Sequence, residues 1–317
     1  MATRFEIVLH GDKPLALRAA GEEALEEIER LEDQLSLYRP SSEIAHLNAR
    51  AAKEPIRVTP SLFALLQLAQ KLHAESGGVF DITVAPLVRC WGFMTGSGRI
   101  PAEEELAEAR AKVGMHLVQL DPDDYTVRFT REGVMLDLGA IGKGYAIERA
   151  AELLRQAGVA SALLHGGTST VYALGHPPES EFWQVAVENP ASRLPNHQSG
   201  ITDHGSRTLP PLATVPLRDE AMSVSAISGK FFQAEGKTFG HILDPRTGRP
   251  AVSGVLSAVV LPFAIETDAL STALLTLGVK GHQDIVKLRP AMRTLLAFES
   301  DGQFHVESEG IPVDAPE

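Results

Sequence analysis

The sequence predicts an α+β fold of mixed, largely antiparallel sheets with packed helices, and three observations carry that prediction. Strand-like runs come in groups, at 117–138 and again from Val159 onward, instead of alternating regularly with helices as a wound parallel sheet requires. Short turn signals join neighbouring strands, at Asp121-Pro-Asp-Asp124, Arg131-Glu-Gly133 and Asp301-Gly302. At 317 residues, 44% hydrophobic and 22% charged, the chain can bury a large core as one domain or as two intimate lobes.

Residues 3–10 alternate as a strand. Leu17, Ala20, Ala24, Ile28, Leu31 and Leu35 then follow helical spacing, with acidic residues on the opposite face. Thr59-Pro60 opens a second helix, with Thr59 as N-cap and proline at the first position, and Gly77-Gly78 ends it. Pro101 with Glu103, Glu104 and Glu105 starts a third, closed by Arg110, Lys112 and Gly114, so charge complements the dipole at both ends. Residues 117–138 read as a three-stranded meander whose last strand is Val134–Leu138. A helix runs from Lys143 to Gly158, and Val159 to His165 reads as a buried strand. Strands near 170–174 and 182–188, helices over 266–277 and 281–288, and a final hairpin at Asp301-Gly302 complete the chain. Proline and polar residues over 189–211 predict a long surface loop inserted between strands, not a domain boundary. The expected organisation is one domain over 1–307, with a tail over 308–317.

A net charge of −12 argues against a nucleic-acid surface, which needs clustered Lys and Arg. Any bound anion must meet a local positive or metal-bearing site. The single cysteine, Cys90, allows no internal disulfide. No apolar run approaches the roughly 18 residues needed to span a bilayer. The N-terminus enters a strand without a signal-peptide pattern, so the expected location is cytoplasmic as given, or periplasmic if the chain has been trimmed. Zinc-hydrolase, thiol-redox and elbow-type serine-hydrolase motifs do not occur.

Asp137-Leu-Gly-Ala-Ile-Gly-Lys-Gly-Tyr145 is the most informative stretch. Glycines permit close approach, a helix start offers unpaired N–H groups, and Lys143 adds a full positive charge at the same place. The order departs from both the Walker loop and the G-x-G-x-x-G fingerprint. Spacing alone leaves a diphosphate cradle and an ordinary strand-to-helix turn equally open. Phe80-Asp81-Ile-Thr83, with Trp91-Gly-Phe93, offers an Asp and two aromatics to a flat heterocycle, or else a turn with aromatics in the core. His241-Ile-Leu-Asp244-Pro-Arg-Thr-Gly248 sets imidazole, carboxylate and guanidinium on one turn, suited to acid–base work or simply closing a hairpin. Asp268 and Thr272 lie four apart, so both oxygens project from one helix face as hard ligands for Mg²⁺. The competing reading makes Thr267 an N-cap and Asp268 a first-turn carboxylate.

Taken in order, these segments resemble the FAD:protein FMN transferase (ApbE) family. The matching pieces are Met1-Ala-Thr3, Tyr38-Arg-Pro-x-Ser-Glu43, Phe80-Asp-Ile-Thr-Val-x-Pro-Leu87 with Trp91-Gly-Phe93, and Asp137–Tyr145. They continue with His165-Gly-Gly167, Ser223-Val-Ser225, His241 to Pro250 and Asp268-Ala-Leu-Ser-Thr272. The resemblance spans residue 1 to about 300, and it implies a ligand site in a cleft between lobes. It implies Mg²⁺-dependent transfer of FMN from FAD to a Thr or Ser hydroxyl of an acceptor protein, releasing AMP. The alternatives it leaves are an FAD diphosphatase, giving FMN and AMP, and a non-catalytic FAD-binding protein. Carried over by motif, Met1, Tyr38, Val79, Phe80, Asp81, Asp137, Lys143 and Ile242 would line the FAD site. Asp268, Thr272 and the Ala140 carbonyl, with Ser271, would hold the metal. His241 matches the family's catalytic histidine, acting directly or by positioning Asp244. Three features depart from the family pattern: Thr168 where Gly-Gly-Asp is common, one extra residue in Ser223–Gly229, and the 189–211 insert.

Overall fold

The computed structural model describes residues 3–190, 209–227, 231–301 and 303–313. Met1, most of the 189–211 insert and the end of the expected tail lie outside the described residues. In chain order the elements are β1 (Phe5–His10), α1 (Pro14–Leu35), α2 (Glu43–Arg50), β2 (Ile56–Arg57), α3 (Pro60–Glu75), α4 (Ala85–Cys90), α5 (Glu103–Arg110), β3 (Val118–Asp121) and β4 (Thr126–Phe129). They continue with α6 (Gly142–Gln156), β5 (Ser161–Gly166), β6 (Thr170–Leu174), β7 (Trp183–Val187), β8 (Ala213–Leu217), β9 (Glu220–Ala226), β10 (Phe231–Ala234) and β11 (Lys237–Gly240). The chain closes with β12 (Leu243–Asp244), β13 (Arg249–Pro250), β14 (Leu256–Leu261), α7 (Ala264–Leu277), α8 (Val279–Val286), β15 (Arg293–Ser300) and β16 (Gln303–Glu309).

A seven-stranded sheet, in the order β1-β5-β6-β9-β14-β15-β16, is antiparallel at every pairing. The alternation of strand side chains gives the sheet two buried faces. On β14, Val259 and Leu261 join a core with α1, α6 and α7, while Leu256, Ala258 and Val260 point the other way. That second face is covered by the β7–β8 hairpin through Val185, Val187, Val215 and Leu217. A third, smaller cluster joins α4 and α5 to the later hairpins through Leu87, Trp91, Leu106 and Leu243, with Phe232 and Phe239 packed on it. The expectation of an α+β fold with largely antiparallel sheets and packed helices holds.

Local signals explain most boundaries. The Thr59 hydroxyl accepts the Leu62 N–H and caps α3, as expected. α1 buries Ala20, Ala24, Ile28, Leu31 and Leu35 on one stripe. Ser42 accepts the Ala45 N–H at 2.9 Å and starts α2, a helix the periodicity did not predict because its apolar stripe is only Ile44 and Leu47.

The meander expectation needs correction. β3 and β4 pair as predicted, but the third strand of that sheet is β2, and Val134–Leu138 belongs to no ladder. Its backbone groups are satisfied elsewhere. The Asn48 side chain accepts the Leu136 N–H at 2.7 Å and donates to the Leu136 carbonyl at 3.0 Å, standing in for a neighbouring strand. The Asp137 N–H donates to the Ile82 carbonyl at 2.7 Å. β16 also runs to Glu309, and Ile311 packs into the second core, so ordered structure continues past the expected boundary at 307. Among the described residues no helix is long and apolar enough to cross a membrane.

Candidate active site

A cleft of about 1090 Å³ separates the α6–α7 end of the large sheet from the α4 and β12–β13 region. Its wall includes Tyr38, Val79, Phe80, Asp81, Asp137, Ala140, Lys143, His241, Ile242, Asp268 and Thr272. Eleven positions scattered through the sequence thus meet in one place. Asp244 and Ser271 are not on that wall, and Met1 lies outside the described residues.

The charged end is built by two helix starts. Gly144 stands where α6 and α7 touch: a methyl group there would meet the Ala264 carbonyl oxygen at 2.1 Å and the Asp268 Cβ at 2.9 Å. Its lack of a side chain therefore serves helix contact, not ligand approach as the spacing suggested. The contact buries Asp268, whose Oδ2 accepts the Gly144 N–H at 3.0 Å. Asp268 Oδ1 lies 3.3 Å from Lys143 Nζ, and that ammonium also donates to the Gly139 carbonyl at 3.0 Å. A lysine in the first turn opposes the helix dipole, and one carboxylate only partly offsets helix end plus ammonium.

Thr267 is not an N-cap. α7 begins at Ala264, and Thr267 lies buried one turn inside, its hydroxyl donating to the Ala264 carbonyl at 2.9 Å and lying 2.8 Å from Ser223 Oγ. Further along, Ser225 Oγ lies 3.2 Å from Thr272 Oγ1 and 2.9 Å from Ser271 Oγ. Ser271 donates to the Asp268 carbonyl at 3.0 Å and is fully buried, so its oxygen belongs to helix–sheet packing instead of the cleft.

Asp81 is buried with both oxygens engaged. Oδ1 accepts the Thr83 N–H at 2.7 Å and the Thr83 hydroxyl at 2.5 Å, and Oδ2 lies 3.2 Å from His73 Nδ1. The same imidazole nitrogen lies 3.0 Å from the Phe80 carbonyl. Burial alone would depress the His73 pKa, but the Asp81 hydrogen bond and charge, with the Phe80 carbonyl, together raise it. Asp81 thus shapes the Val79–Phe80 wall and is not a dangling ligand contact. Trp91 and Phe93 fall chiefly in the aromatic cluster: Trp91 Nε1 donates to the Gly248 carbonyl at 2.8 Å, and only Phe93 reaches the cleft.

On the facing wall, β12 and β13 pair across a turn that Gly248 closes with φ of 75°, its N–H donating to the Asp244 carbonyl at 2.8 Å. Asp244 is clamped by Arg246, Nε to Oδ1 at 3.0 Å and Nη2 to Oδ2 at 2.8 Å, and also accepts the Arg246 N–H at 2.9 Å. Its carboxylate secures the turn, so the expectation that it shares the acid–base work does not fit this geometry. His241 and Ile242, just before the turn, face the cleft.

Three groups at the site are given no role by the motifs of the sequence. His73 supports Asp81, and Glu148 accepts the Ile265 N–H at 3.1 Å. Glu148 is half-buried one turn beyond Gly144, and a carboxylate beside the buried residues of α6 is the available signal. His165 lines the cleft, and burial lowers its pKa against the opposing charge of Glu6. Thr168 is exposed on the turn beside it, also on the cleft wall.

Fold and site together define an antiparallel α+β protein with a cleft at two helix starts, where Lys143 meets Asp268. The model of the ApbE family matches residues 1–296. The FAD:protein FMN transferase of Treponema pallidum is 31% identical over 306 residues, covering 94% of this chain and 82% of that protein. The FAD:protein FMN transferase of Haemophilus influenzae is 31% identical over 303 residues, covering 92% and 83%. The crystal structure of the ApbE protein from Thermotoga maritima superposes with a TM-score of 0.81 at 26% identity, covering 99% of this chain and 94% of that one. The chain belongs to the ApbE family.

Proposed function

We infer that this chain is an FAD:protein FMN transferase, moving FMN from FAD onto a Thr or Ser hydroxyl of an acceptor protein and releasing AMP. The observation that carries the chemistry is the pair of buried Asp268 and half-buried Lys143 where α7 meets the start of α6, opening on the same cleft as His241. In the reaction the acceptor oxygen bonds to the flavin-side phosphorus. The bridging P–O bond breaks, and AMP leaves with the bridging oxygen.

Lys143 stabilises the diphosphate oxygens, whose charge shifts toward the leaving phosphate. His241 takes the proton of the incoming hydroxyl. The donors fit a hard divalent ion such as Mg²⁺: Asp268 Oδ1, the Thr272 hydroxyl and the Ala140 carbonyl are all oxygen. Among the described residues no group of three or more His, Cys, Asp or Glu is placed to hold a metal ion, so phosphate and water would have to complete the shell. When bound, the ion supplies charge neutralisation at the phosphates.

The test is co-expression with candidate acceptor proteins, reading the mass added by FMN, alongside AMP release from FAD. Labelled acceptor with stoichiometric AMP supports transfer. FMN and AMP formed from FAD and Mg²⁺ alone would assign the chain as a diphosphatase. Tight FAD capture with no AMP would overturn catalysis.

A further inference from the structure

We propose that Glu148 is a positioning residue for this reaction, holding α7 so that one oxygen of Asp268 faces the cleft; the functional part of this rests on the transferase reading. Neither α6 nor α7 caps itself. The residues before them are Ile141 and Phe263, which have no side-chain acceptor. Each helix instead receives its cap from the other. Asp268 of α7 accepts from Gly144, the third residue of α6, at 3.0 Å, and Glu148 of α6 accepts from Ile265, the second residue of α7, at 3.1 Å.

The two caps lie one helical turn apart along α6, at Gly144 and Glu148, and the first sits where the backbones touch. Two points fix both the separation and the rotation of a helix pair; one would leave rotation free. With Asp268 Oδ2 committed to Gly144, only Oδ1 remains to face Lys143 at 3.3 Å and the cleft. Glu148 thereby sets the placement of an oxygen it does not touch. α7 keeps other anchors, including the Ser223–Thr267 hydroxyl contact at 2.8 Å and the Arg289–Glu266 pair at 2.7 Å. Removing Glu148 should therefore loosen the first turn without unfolding the chain.

The experiment compares E148A and E148Q in the full chain. E148Q keeps a carbonyl acceptor for Ile265. In E148A, hydrogen exchange over 264–268 should accelerate about tenfold while β14 keeps its protection. AMP release should fall about 10²-fold in kcat, with the KM for FAD little changed and a higher Mg²⁺ half-saturation. E148Q should resemble wild type in all of these. Wild-type exchange and turnover in E148A overturn the proposal. So does E148Q as impaired as E148A, which would make charge and not capping the essential property. Should E148A not fold, the E148Q comparison still decides. If the wild type releases no AMP, the transferase reading fails, and exchange alone then tests the cap.

Discussion

One wall of the cleft places Lys143 and Asp268 3.3 Å apart on two helices whose backbones are in contact. The other places His241 beside a four-residue turn held by the Asp244–Arg246 clamp and by Trp91. On the helix wall, the groups that would bind the diphosphate are the same groups that join the helices. On the hairpin wall, the reactive side chain and the anchoring side chains are different residues. Chemistry and folding are therefore coupled on the first wall and separable on the second.

The sharpest way to break that contrast is at Gly144. Gly144→Ala should abolish turnover and lower the unfolding temperature strongly, since the new methyl has no room against the Ala264 carbonyl. Gly142→Ala, whose nearest neighbour would be Leu138 Cβ at 3.8 Å, should fold with stability equal to or slightly above wild type. Equal tolerance of the two in thermal unfolding would show that the helices are not locked at Gly144.

Asp268→Ala comes next. It removes the partner of Lys143 and the acceptor of the Gly144 N–H together, so Mg²⁺-dependent AMP release should disappear and stability should fall. Full activity would remove Asp268 from the metal set. His241→Ala should cut transfer by about 10²–10⁴-fold, leaving FAD affinity and the unfolding temperature close to wild type. Loss of FAD binding, read by flavin fluorescence, would recast His241 as a ligand residue. Asp244→Asn should barely change turnover and should cost about 0.5–1.5 kcal/mol through the weakened turn; a collapse of kcat would return it to the acid–base role.

The smallest effect is a pH dependence at His73. Its folded pKa lies above the ordinary 6.5, so its contribution to stability is full below that value and is lost as pH rises through the folded one. In urea titrations from about pH 6 to about pH 9, the wild type should therefore lose more stability than His73→Gln. Identical slopes would mean that His73 is not charged against Asp81.

Much of this was legible in one dimension where a single element carries its own signal. The stripe Ala20–Leu35, the Thr59 cap and the Pro-x-x-Gly turn ending at Gly248 each depend on neighbours in sequence, and the structure has them as expected. Motif order also gathered the residues of the cleft. Readings that depended on a partner fared differently. Val134–Leu138 looks like a strand, yet the Asn48 side chain occupies the place a neighbouring strand would take. Thr267 looks like a cap, but the helix starts three residues earlier because Glu148, far away in sequence, accepts its first amides.

The sequence by itself determined the fold class and the chemical inventory of the site: one lysine at a glycine-rich helix start, one Asp–Thr pair a turn apart, one histidine before a tight turn. Periodicity, capping and turn geometry act over a few residues, so they survive reduction to a string of letters. Only the tertiary structure decided which carboxylates face the cleft and which are consumed as clamps and caps. That choice depends on hydrogen-bond partners brought from more than a hundred residues away, as in Gly144 with Asp268 and Glu148 with Ile265.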